Sequence, residues 1–130
     1  MRILGIDYGT KRVGLAISDE LGLLARELDI VSPVDFFRRL PGLIKEYEIE
    51  SIVLGVPLNM SGQDTDKTKE VRAFQQSVEE ASGVPVHGVD ERLSSQMAQR
   101  ISGSATNLDS LAAQIILQNY LNQQTSKLAN

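Results

Sequence analysis

The chain has 130 residues, 42% of them hydrophobic and 23% charged, with a net charge of −4 and no cysteine. That composition suits one globular domain over residues 1–130 and argues against disorder. It excludes a disulfide scaffold, a zinc–thiolate site and thiol catalysis. No apolar run reaches the ~18 residues of a membrane span and no signal-peptide pattern opens the chain, so a cytoplasmic protein without a membrane partner is expected.

Residues 2–8 read as a strand, Gly9-Thr10 as a turn and residues 12–18 as a second strand, which together predict an antiparallel hairpin. Residues 23–31 give a third strand. Ser32-Pro33 is a capping serine before a proline at the first helical position, and Phe36, Leu40, Leu43, Ile44 and Tyr47 follow at helical spacing. Pro41-Gly42 predicts a kink or a division into two helices. Residues 51–56 form an apolar strand and 57–64 a polar loop. A second helix carries Val71, Phe74, Val78 and Ala81 on one stripe and stops at Gly83. Residues 85–89 are a short strand ending on Asp90-Glu91. Leu93, Met97 and Ile101 mark a brief helix, residues 102–106 a small-residue loop and 107–123 a last helix, with 124–130 as a frayed tail. This order predicts an α/β domain, a mixed sheet with helices on both faces.

Four acidic residues sit where such elements normally carry apolar or small side chains: Asp7, Asp90, Glu91 and Asp109. A lone buried carboxylate costs several kcal/mol, and the sequence offers too few candidate buried cations to pair them all. A shared divalent cation, Mg²⁺ or Mn²⁺, is the economical explanation and implies phosphate chemistry. Alternation puts Asp7 on one side of its strand with Ile3 and Gly5, opposite Leu4, Ile6 and Tyr8. If Tyr8 pairs near Val13, Asp7 faces Gly14 and Gly5 faces Ala16, a floor of small residues around a carboxylate. In the last helix Asp109, Ala112, Ala113, Ile116 and Tyr120 share an inward stripe. Read alone, Asp109 also fits a charge that favours the helix dipole. Adjacent strand residues point apart, so one of Asp90 and Glu91 is expected to join Asp7. Either of them could otherwise be a cap or a surface charge.

The segment Gly5-Ile6-Asp7-Tyr8-Gly9-Thr10-Lys11-Arg12-Val13-Gly14-Leu15-Ala16 resembles the opening of the YqgF family, also called RuvX. Three further segments resemble the family in the same order: residues 53–62 (VLGVPLNMSG), 90–95 (DERLSS) and 109–121. The family is ribonuclease H-like, and its members are described as Holliday-junction resolvases and as nucleases maturing the pre-16S rRNA end. The resemblance implies a five-stranded sheet with three leading antiparallel strands. It also implies that Asp7, Glu91 and Asp109 are catalytic and hold the metal, selecting Glu91 over Asp90. The chain departs from the pattern between Gln99 and Leu108, where the family is often longer and lysine-rich and only Arg100 is basic here. That departure weakens the expectation of tight junction binding.

The expected function is metal-dependent phosphodiester hydrolysis with two ions, acting on an rRNA precursor in ribosome biogenesis or on branched DNA in recombination. Lys11 and Arg12 at the hairpin tip are expected to hold a phosphate, with Asn59 and Arg92 as further substrate contacts. Arg38-Arg39 and the group Lys67, Lys69 and Arg72 could build a local basic patch, and read at least as readily as solvated faces. His87 reads as a packed or rim residue rather than a base. The acidic balance is unusual for a nucleic-acid partner, although bound metal would offset part of it. A monomer or weak homodimer is expected. A catalytically silent binding protein that docks on ribosome precursors is the competing class. A sugar-kinase-like phosphotransferase would share the Asp7-Tyr8-Gly9-Thr10 loop but needs two lobes.

Overall fold

The computed structural model describes residues 1–58, 61–91 and 108–129, with side chains of the last helix described over 111–124. Five strands, β1 (Arg2–Tyr8), β2 (Val13–Ser18), β3 (Ala25–Val31), β4 (Ile49–Val56) and β5 (Val86–Asp90), form one sheet in the order β3-β2-β1-β4-β5. β1–β2 and β2–β3 are antiparallel, and β1–β4 and β4–β5 are parallel. The hairpin register is the expected one: Tyr8 pairs with Val13, Asp7 with Gly14 and Gly5 with Ala16. The described helices are α1 (Pro33–Glu46), α2 (Asp66–Ser82) and α3 (Leu108–Ala129).

Strand alternation sorts the side chains into two cores. Leu4, Ile6, Val13, Leu15 and Ile17 face α1 and α2, meeting Phe36, Leu40, Leu43, Val71, Phe74 and Val78. Ala16, Ala25 and Val53 on the other face meet Ala113, Ile116, Leu117 and Leu121 of α3. Helices therefore cover both faces, as the mixed pattern predicts. The α3 face is floored with small residues because the helix comes very close. A Cβ added to Gly5 would lie 2.8 Å from Leu117 Cβ and 3.1 Å from the Ala113 carbonyl oxygen.

Element boundaries differ from the sequence expectation where side chains intervene. β3 begins at Ala25 rather than 23, because Asp19 Oδ1 accepts the Leu23 and Leu24 backbone N–H groups at 2.8 and 3.4 Å and holds them in a turn. α1 is a single helix through Pro41, not two. Pro41 and Gly42 lie on its exposed side, while Leu40 and Leu43 are buried and hold both halves against the sheet. That burial offsets the backbone bond that proline cannot donate. α2 ends as expected at Gly83, in the left-handed conformation with φ 72°. α3 runs to Ala129 rather than to 123, since no glycine or proline interrupts its end. The brief helix expected around Leu93, Met97 and Ile101, and the loop at 102–106, lie outside the described residues.

Candidate active site

The site is built at the C-terminal ends of β1, β4 and β5. β5 pairs with β4 up to Val56↔Asp90, and the Glu91 backbone N–H then donates to the Val56 carbonyl oxygen at 3.3 Å. That extra bond continues the ladder by one residue and turns Glu91 to the α3 face. Gly55 makes room for it: a Cβ at position 55 would lie 2.6 Å from Glu91 Oε2 and 2.6 Å from Ile116 Cδ1. Asp7, at the end of β1, sits on the same face, and its carboxyl group interacts directly with that of Glu91. Asp90, one residue earlier in the strand, is exposed; alternation left the choice between the two open, and it is Glu91 whose carboxyl group lies against Asp7.

The electrostatics of Glu91 are those of a buried acid. Burial pushes its pKa above the ordinary carboxylate value, and the nearby Asp90 charge adds to this. The Asp7 side chain and the charge of Lys67 act in the opposite sense. Among the described residues, Glu91 Oε2 is a buried side-chain oxygen with no hydrogen-bond partner. A carboxylate oxygen stripped of water and left without a donor is the environment that a hard cation relieves.

Asp109 lies in the first turn of α3, with its side chain outside the described residues. The stripe it was read from does face inward: Ala112, Ala113 and Ile116 are buried, and Tyr120 packs against the α3-side core. Lys11 and Arg12 occupy the β1–β2 turn and are exposed. Asn59 and Arg92 lie outside the described residues. Among the described residues no cluster of three metal-ligating side chains forms. His87 is an exposed rim residue stacked on Tyr120, with ring centroids 5.9 Å apart.

Sequence reasoning did not single out Lys67. It left its basic group open between a local patch and a solvated face, yet the Lys67 ammonium group lies 5.2 Å from the centre of the Tyr8 ring and its charge reaches Glu91. Its proximity to Tyr8 and Glu91 depends on how α2 seats over the strand ends, which no local spacing records. Arg72, from the same basic group, pairs with Asp64 at 3.3 Å as a surface residue should.

This strand order, with helices on both faces, gives an α/β fold similar to that of ribonuclease H-like resolvases. Thermus thermophilus RuvC in complex with a Holliday junction substrate matches with a TM-score of 0.63 at 17% identity, over 96% of each chain. The yeast mitochondrial Holliday junction resolvase matches with a TM-score of 0.57 at 10% identity, over 98% of this chain and 80% of that one. The family model described as RuvX, Holliday junction resolvase, matches residues 1–123, and the chain belongs to that family. Proteins of Streptococcus pyogenes serotypes M2 and M5, each named "Putative pre-16S rRNA nuclease", are 39% identical over 95% of this chain and 99% of their own length. No described helix is long and apolar enough to cross a membrane.

Proposed function

We propose that this protein is a divalent-metal-dependent nuclease that hydrolyses phosphodiester bonds in nucleic acid, with the 5′ end of pre-16S rRNA in the cytoplasm as its substrate. The observation that carries the chemistry is the Asp7–Glu91 carboxyl pair, with Glu91 Oε2 buried and lacking a hydrogen bond. The names of the 39%-identical relatives support the rRNA substrate. Asp7, Glu91 and Asp109 would hold Mg²⁺ or Mn²⁺, since oxygen-only ligands suit these hard cations. When bound, such ions supply activation of water and charge neutralisation at the phosphate.

The chain's own residues do the rest. The shared face of β1 and β5 holds two carboxyl groups that repel one another when both are ionised, which keeps them ready for a cation. Ile116 and the close approach of α3 exclude water from Glu91. Lys11 and Arg12, on the turn that follows Asp7, hold the flanking phosphate. A second reading, resolution of four-way DNA junctions, is favoured by the family description and is served by the same acids.

A cleavage panel tests both readings: a pre-16S rRNA end, a single-stranded RNA and a four-way DNA junction, each with Mn²⁺ or Mg²⁺. Asp7→Asn, Glu91→Gln and Asp109→Asn are each expected to fold and to lose cutting by about 10²-fold or more. Equal cutting by the wild type and all three variants would place the activity elsewhere. Preference for the junction over the rRNA end would select the second reading.

A further inference from the structure

Lys67 is not required by the hydrolysis proposed above, yet the fold holds it firmly. It lies in the first turn of α2, and that turn is pinned by two threonines. Thr68 Oγ1 accepts the Thr65 backbone N–H at 2.9 Å and donates to the Pro57 carbonyl oxygen, while the Thr68 N–H donates to Thr65 Oγ1 at 3.3 Å. Pro57 directly follows β4, two residues beyond the Gly55 that makes room for Glu91. The start of α2 is therefore tied to the same strand end that positions the acid.

The side chain is held as well. Its ammonium group lies over the Tyr8 ring and 3.7 Å from Glu70 Oε2, and the Tyr8 hydroxyl donates to Glu70 Oε1 at 3.1 Å. Tyr8 is itself fixed, packed against Phe74 with ring centroids 4.2 Å apart. An ordinary i,i+3 surface pair between Lys67 and Glu70 would leave both side chains to wander. Here a third group, the residue after Asp7 on β1, orients both. The arginines of the first two helices are engaged elsewhere: Arg72 with Asp64, Arg38 with Asp35 and Arg39 with Asp29. Lys67 remains half exposed, so a phosphate can reach it.

The geometry points to Lys67 as a phosphate-binding residue of this site, held by Tyr8 and Glu70 to grip the nucleic-acid backbone beside the carboxylates. This assignment rests on the nuclease reading and names part of its substrate grip. A single ammonium contact to one phosphate releases about one counterion, which makes the role measurable apart from cutting.

The test uses the full chain in an Asp7→Asn background, which holds substrate without consuming it. A labelled single-stranded RNA and a labelled four-way DNA junction are the probes. Lys67→Met is expected to weaken binding by about fivefold to tenfold. It should also lower the slope of log K against log salt by about 0.7 on the single strand and about 0.9 on the duplex arms. Lys67→Arg is expected to restore the slope. In the Asp7-containing protein, Lys67→Met should raise KM with little change in kcat. Unchanged affinity and slope in Lys67→Met would overturn the assignment, and so would an arginine that fails to restore the slope. Lys67-dependent binding by a wild-type protein that cuts nothing would support the grip while removing the nuclease reading.

Discussion

Glu91 carries opposite penalties with and without a cation beside it. In metal-free protein its pKa is raised above the reference value of 4.5, chiefly by burial. The protonated form therefore fits the fold better than the ionised one. Any stability Glu91 lends is complete below its unfolded pKa and is lost as pH rises through the higher folded value. Glu91→Gln cannot ionise and escapes that loss. In EDTA, its stability advantage over wild type is expected to widen as pH rises from about 4.5 towards neutrality, followed by urea denaturation. A constant gap across that range would show that burial does not penalise the charge. Gly55 is the complementary residue. Gly55→Ala puts a methyl group 2.6 Å from both Glu91 Oε2 and Ile116 Cδ1 and 3.1 Å from Glu91 Cβ, so both side chains must shift. It should cost about 1–3 kcal/mol in urea denaturation and reduce cleavage by displacing the carboxylate.

Among the elements, the α2 N-terminus is the joint between fold and site. Thr68 is fully buried, and its hydroxyl serves both Pro57 and Thr65. Thr68→Val keeps the volume but leaves the Thr65 N–H and the Pro57 carbonyl without that partner. A loss of about 1–3 kcal/mol in chemical denaturation is expected, with weaker nucleic-acid binding because Lys67 shifts with the helix end. Much at this scale was readable in advance. Strand alternation put Asp7 on the side of Gly5 and Ile3, and the hairpin register followed from a short turn. The inward stripe of α3 follows from helical spacing at Ala112, Ala113 and Ile116. The single helix through Pro41 was not readable, because proline's local cost is visible in sequence and the core contacts of Leu40 and Leu43 are not.

At the scale of the whole molecule, a parallel β1–β4–β5 arrangement carries residues 7 and 91 to the same end of the sheet on one face, on either side of β4. Bringing like charges together lowers stability until something of opposite sign binds. A divalent ion that binds only the folded state stabilises it by mass action, about 2.7 kcal/mol at a hundredfold excess over Kd. Thermal unfolding is accordingly expected to shift upward with added Mn²⁺ for wild type, and to shift little for Asp7→Asn or Glu91→Gln. An equal shift in all three would assign the ion to other carboxylates on this acidic chain.

Local pattern was enough to identify the layers, the faces of the strands and the acids worth watching, because period and alternation record which side of an element avoids water. It left Asp90 and Glu91 as alternatives, since neighbouring strand residues differ only in the side they take and the register of a parallel pair is set by distant packing. It also gave no sign that Lys67, Tyr8 and Glu70 meet. Their meeting depends on where the start of α2 comes to rest over β1 and β4, a consequence of two cores closing on opposite faces of one sheet.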